Sequence, residues 1–149
     1  MNEVVWVILR QENRFLLSQR SLTDAASGIW VFPGGNMGPD DKEPIDTACR
    51  ELKKAVGLKG YRFRELCHTY LGQQRVQVFC CDQWSGELKP ACDEVIGVGW
   101  FTLPEMYSLG HSLAPFVDES LMYLAWLTQH YDDHPNEWLA QWRGCDEDV

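Results

Sequence analysis

The sequence predicts an α/β fold in which a mixed sheet lies between helical layers. Three observations predict it: a continuous apolar run near the start, one strongly amphipathic helix in the first half, and a return to strand-like alternation followed by a second amphipathic helix. The chain of 149 residues suits one domain over 1–149, long enough to bury a core without staples.

The elements follow in order. Val4 to Leu9 is apolar throughout, as in a strand covered on both faces. Gln11-Glu12-Asn13-Arg14 is turn material and Phe15-Leu16-Leu17 resumes a strand, so the pair reads as a hairpin. A loop rich in Ser, Asp and Ala leads to the short run Ile29–Phe32, stopped by Pro33-Gly34-Gly35. Pro44 to Val56 is the clearest helix: Ile45, Ala48, Cys49, Leu52 and Val56 form one buried stripe, Pro44 fits the first turn and Gly57 ends it. Thr47, Arg50, Glu51 and Lys54 fall on the opposite face. Strands return from Tyr61 to Trp100. Among them Arg75 to Cys80 alternates like a half-buried strand, and Val95 to Phe101 leads into a short turn and helix at Leu103-Pro104-Glu105-Met106. Phe116 to Tyr131 reads as an amphipathic helix. Pro135 opens a third, with Trp138, Leu139 and Trp142 on one side, and the tail from Cys145 frays.

Composition narrows the function. A net charge of −9 without a basic block excludes a general nucleic-acid binder. No run reaches the length of a membrane span and the start lacks a basic leader, which points to the cytoplasm. The six cysteines show no CxxC zinc spacing and read as reduced thiols, and the four histidines give no ligand spacing. Trp6, Trp30, Trp100 and Trp126 read as core, leaving the other tryptophans as candidates for stacking on a base.

One stretch carries chemistry. Gly34-Gly35-Asn36-Met37-Gly38-Pro39-Asp40-Asp41, then Arg50-Glu51-Leu52, then Val56-Gly57-Leu58, resembles the Nudix box G-x5-E-x7-R-E-U-x-E-E-x-G-U, with U a bulky aliphatic residue. Trp30-Val31-Phe32-Pro33 matches its lead-in, the strand ending in Arg20 resembles the family's second strand, and Asp93-Glu94 before Val98-Gly99-Trp100-Phe101 resembles its late acidic loop. The resemblance is to MutT-like hydrolases, and it implies an α/β/α sandwich that cleaves phosphoanhydrides in nucleoside diphosphate derivatives or triphosphates. Water attacks a phosphorus that already carries negative charge, so the family uses divalent metal held by glutamates on one helix face.

Here the box is degenerate. Arg50 and Glu51 match, but Lys54 and Ala55 stand where two glutamates belong. The upstream glutamate falls on Asp41 counting forward from Gly35 and on Lys42 counting back from Arg50, so loop 36–43 carries an insertion; Asp40, Asp41 and Glu43 are each candidates to restore a carboxylate. The two replacements move the site about three charge units toward positive, and Glu51 is expected to pair with Lys54 one turn away. The resemblance implies Glu51, Arg50 and Glu94 as catalytic residues, with magnesium or manganese weakly held by the Gly34 carbonyl, Glu51 and Glu94. It implies Arg20, Gly35, Lys42 and Lys54 as substrate-binding. Two functions remain open: a weak or specialised metal-dependent hydrolase, or a silent domain that binds a nucleotide or a protein. The expected partner is a nucleotide-type small molecule, not a nucleic acid polymer or a membrane. A homodimer is compatible with the family.

Overall fold

Strand β1 (Glu3–Gln11) shows why its run is apolar throughout. Val5, Val7 and Leu9 are buried toward one helical layer, and Val4 and Ile8 toward the other. The computed structural model describes residues 3–21, 28–115, 117, 118, 120, 122, 124, 125, 129, 143 and 144.

The remaining elements are β2 (Arg14–Arg20), β3 (Trp30–Val31), β4 (Gly34–Asn36), helix α1 (Pro44–Val56), β5 (Lys59–Leu71), β6 (Gln74–Ser85), β7 (Val95–Thr102) and helix α2 (Leu103–Ser108). A single 3-10 turn, Gly110–Ser112, follows. The chain forms the mixed α/β/α sandwich that the sequence predicts. α1 covers one face of the sheet through Ile45, Ala48, Cys49, Leu52, Ala55 and Val56. The other face packs on Met106 of α2, Leu113, Val117 and Leu124. Residues 115, 117, 118, 120, 122, 124, 125 and 129 are helical, in keeping with the expected helix. Its other residues, including Phe116, Leu121, Leu127 and Tyr131, lie outside the described residues. So do Trp126, the expected third helix with Trp138, Leu139 and Trp142, the tail from Cys145, and most of the loop after Ser21.

The sheet runs β3-β2-β1-β6-β5, with β4 added to β1 and β7 to β2. β1 and β2 are antiparallel as expected, but only Arg10↔Phe15 and Gln11↔Arg14 pair beside their turn. Beyond them the strands part. β1 pairs in parallel with β6 from Glu3↔Arg75 to Leu9↔Cys81, and β2 pairs with β7 from Arg14↔Thr102 to Arg20↔Val95. The sheet is thereby split into two leaves, and the segment around Pro33 enters the split. Val7 N–H donates to the Pro33 carbonyl at 2.8 Å, and Gly34 to Asn36 pair with Val4 to Trp6. The double glycine, read from sequence as a stop, is therefore a strand. A methyl group on Gly34 would lie 2.0 Å from the Val5 carbonyl oxygen, so only glycine fits.

Two expectations about exposure are corrected. β6 is not half-buried. It lies between β1 and β5, so residues from Val76 to Phe79 are covered on both faces, including the 2% exposed Gln77. Thr47 is fully buried rather than on a solvated face.

α1 starts and stops by local chemistry. Glu43 is its extended N-cap and Pro44 its first residue; the Asp46 carboxylate accepts from the N–H groups of Lys42 (3.0 Å) and Glu43 (2.9 Å). Gly57 closes it in the left-handed region at φ 78°, donating to the Lys53 carbonyl. No helix among the described residues is long and apolar enough to cross a membrane.

Candidate functional site

The flank of α1 that faces β4 is built by positions 47, 51 and 54, which helical spacing stacks on one line, with Arg50 beside them. Its centre is a carboxylate that the sequence left without a register. Asp41 accepts from Arg50 Nη2 at 2.7 Å and Nε at 3.3 Å, from the Gly38 N–H at 2.8 Å and from the Thr47 hydroxyl at 2.9 Å. The forward count from Gly35 is thus the one the fold uses, and Lys42 is exposed. The Arg50 guanidinium holds the Asp41 carboxyl at about 2, against 3.8 unperturbed, with Gly38 and Thr47 adding to the effect and burial opposing it. The same hydrogen bond raises the Arg50 pKa.

Arg50 also organises the rest. Its Nη2 donates to the Asn36 carbonyl at 3.1 Å, and its Nη1 to Glu51 Oε1 at 2.8 Å. Glu51 was expected to pair with Lys54; the structure pairs it with Arg50, whose planar fork reaches two carboxylates at once, while the exposed Lys54 forms no ion pair among the described residues. The Glu51 carboxylate lies against Gly35. A methyl group there would sit 2.8 Å from its Cδ and 3.0 Å from each oxygen. Gly35 therefore gives the carboxylate its room, and Gly34 fixes the strand that presents it.

Glu94 directly precedes β7. Its carbonyl accepts from the Ser21 N–H at 2.8 Å, which places it beside Arg20 at the end of β2, and its side chain is exposed. Of the expected site residues, the structure brings Arg50, Glu51 and Gly35 together at this flank. In sequence Asp41 is one of three candidate carboxylates, and nothing marks Thr47, four residues before Glu51 on the same flank, as its partner. Nor is Lys89 marked, whose stem lies over Gly57: a methyl group on Gly57 would meet its Cγ at 3.4 Å and its Cε at 3.6 Å. Nothing in the sequence signals that approach.

The donor set does not fit a resident magnesium. Ala55 is 7% exposed inside the apolar cluster against which Trp84, Leu88 and Trp100 pack, so the helix offers no carboxylate there. Lys54 presents an ammonium, Asp41 is consumed by its four donors, and Glu51 has one oxygen already bonded. Among the described residues no group of three or more His, Cys, Asp or Glu side chains gathers where a metal could sit, and neither Glu51 nor Glu94 joins one. The cysteines are corrected in one respect. Cys67, Cys80, Cys81 and Cys92 are free, but Cys49, on the buried stripe of α1, is disulfide-bonded rather than a reduced thiol. Burial pushes the Cys80 and Cys81 thiols up to about 12, so they stay protonated and inert.

Comparison with known proteins places this geometry. The family model described as the NUDIX domain matches residues 2–127. The chain is 34% identical over 59 residues to the CTP pyrophosphohydrolase of Escherichia coli (strain K12), covering 40% of this chain and 43% of that protein. It is 35% identical over 52 residues to the 8-oxo-dGTP diphosphatase of Proteus vulgaris, covering 35% and 46%. The matched segment thus spans less than half the length of either curated relative. Among solved structures, the MutT NUDIX hydrolase from Burkholderia pseudomallei superposes with a TM-score of 0.68 at 25% identity, over 81% of this chain and 95% of that one. The NUDIX domain of Shewanella oneidensis NrtR, complexed with ADP ribose, shares the fold at a TM-score of 0.62 and 19% identity, over 71% and 75%.

Proposed function

The chain belongs to the Nudix family, and on that premise we propose that it binds a nucleotide bearing a phosphoanhydride beside α1 and hydrolyses it slowly. The observation that carries this reading is the braced carboxylate. Asp41 fixes Arg50, Arg50 fixes Glu51, and Gly35 leaves the space in front of it. Rigid support of this kind is what a proton acceptor for an attacking water needs. The two curated relatives are named for nucleoside triphosphate substrates, which supports a triphosphate or a related nucleoside diphosphate derivative here. Arg20 and Lys42 are further candidates for contacts to the ligand.

Slow turnover follows from the charges. Nudix hydrolases generally use divalent metal ions, and the helix positions that would supply carboxylates are here an ammonium and a buried methyl group. Fixed cations can neutralise phosphate, but they do not generate a metal-activated nucleophile. The burial of Ala55 favours a second reading, a silent domain that only binds the nucleotide.

Release of phosphate and pyrophosphate from nucleoside triphosphates, nucleotide sugars and dinucleoside polyphosphates, with magnesium or manganese, separates the two. Slow turnover of one substrate that disappears in Glu51→Gln supports the hydrolase. Inert wild-type protein, with activity gained in Lys54→Glu, establishes that the scaffold is competent and that this chain is a binder.

A further inference from the structure

Four of the chain's five lysines lie around the C-terminal end of α1. Lys53 and Lys54 form the last turn of α1, Lys59 opens β5 directly after it, and Lys89 lies over Gly57; the fifth, Lys42, precedes α1. This concentration occurs in a chain whose net charge is −9. Lys53, Lys54 and Lys89 form no ion pair among the described residues, and Lys59 Nζ lies 5.5 Å from the centre of the Tyr61 ring. Arg14, Arg50, Arg62, Arg75 and Arg143, by contrast, each meet a carboxylate.

A bland explanation would be that the lysines complement the negative end of the helix dipole. The backbone already does that work. The Lys53, Ala55 and Val56 carbonyls accept from the N–H groups of Gly57 (3.0 Å), Ala91 (3.1 Å) and Lys89 (3.1 Å). These bonds clamp the 89–91 segment onto the last turn and hold the Lys89 stem on Gly57, the left-handed residue that ends the helix whose last turn carries Lys53 and Lys54. The carboxylates nearest in sequence to the cluster are Glu51, which is paired with Arg50, and Glu87, two residues before Lys89, whose side chain is exposed. Lys54 itself lies one turn beyond the braced Glu51.

We propose that this lysine cluster, with Lys54 and Lys89 at its centre, is a site for the phosphate groups of the ligand and holds them without a protein-bound divalent metal. The ligand class is a metal-free diphosphate, as pyrophosphate or as the diphosphate of a nucleotide. The inference rests on the nucleotide-binding reading above and assigns its phosphate subsite. Ammonium groups on flexible stems suit a diffuse, tetrahedral anion and repel the magnesium ion that would compete for its charge.

The test is calorimetric titration of the purified chain with inorganic pyrophosphate and with a nucleoside diphosphate. Each is run in chelator and again with excess magnesium. Wild type is expected to bind both ligands in chelator, with magnesium leaving the affinity unchanged or lower. Lys54→Ala/Lys89→Ala, exposed changes whose folding is checked by thermal unfolding, should weaken both by about tenfold or more. Arg14→Ala, remote at the turn between β1 and β2, should stay within about twofold. Binding that requires magnesium overturns the proposal, as does a double variant that binds like wild type, or a nucleotide that binds while pyrophosphate does not. Failure of nucleotide turnover in the product-release assay, with pyrophosphate still bound in chelator, removes the hydrolase and leaves this subsite standing.

Discussion

Replacing Asp41 with asparagine removes the charge on which the site is braced while keeping the shape. The side chain is 7% exposed and receives four hydrogen bonds, two of them from a guanidinium. A carboxyl held at about 2 rather than 3.8 contributes roughly 2 kcal/mol of folding stability at neutral pH. Because the folded-state value is depressed, this contribution is complete above about pH 4 and is lost as the pH falls toward 2. Asp41→Asn should therefore lower stability by about 2 kcal/mol at pH 7, or about 6 °C in Tm for a chain of this size. The gap to wild type should close on acidification. Urea and thermal unfolding followed by circular dichroism, at pH 7 and at steps between 5 and 2, measure both effects. A variant with the wild-type midpoint at pH 7 refutes the bracing role. A gap that stays constant down to pH 2 shows that lost packing, rather than the carboxylate–guanidinium pairing, carries the cost.

Two other perturbations address the same flank. Gly34→Ala forces a methyl group to within 2.0 Å of the Val5 carbonyl oxygen, in the backbone of the central strand; it should cost more than about 3 kcal/mol and abolish ligand binding, and a stable, binding-competent variant would show that β4 is free to move. Ala55→Glu, which restores a box carboxylate, places a charge at a position 7% exposed inside the α1 cluster; urea unfolding should show a loss of about 2–4 kcal/mol, against about 0.5 kcal/mol or less for the exposed Lys54→Glu.

The sequence by itself determined the architecture and most of the box. Period 3.6 over Pro44–Val56, bounded by Pro44 and Gly57, placed α1 with its bounds unchanged, because propensity, capping and burial all point the same way there. The continuous apolar run of β1 told correctly of two covered faces. Arg50 and Glu51 were legible because their spacing is local to one helix. What needed the tertiary structure was everything set by neighbours distant in sequence. β6 alternates in sequence like a surface strand, yet β1 and β5 enclose it, and only the sheet order reveals that. The place of the upstream carboxylate was ambiguous because an inserted residue shifts the count. It was resolved by which carboxylate the loop turns inward, with Gly38 and Thr47 as its other donors. Helical spacing favoured Lys54, one turn from Glu51, over the adjacent Arg50, and the reach of the guanidinium fork decided for Arg50. The burial of Ala55 and the approach of Lys89 to Gly57 arise from the 86–91 loop folding back on the end of α1. Side-chain spacing along the chain cannot encode such a contact, because it depends on backbone hydrogen bonds between segments more than thirty residues apart.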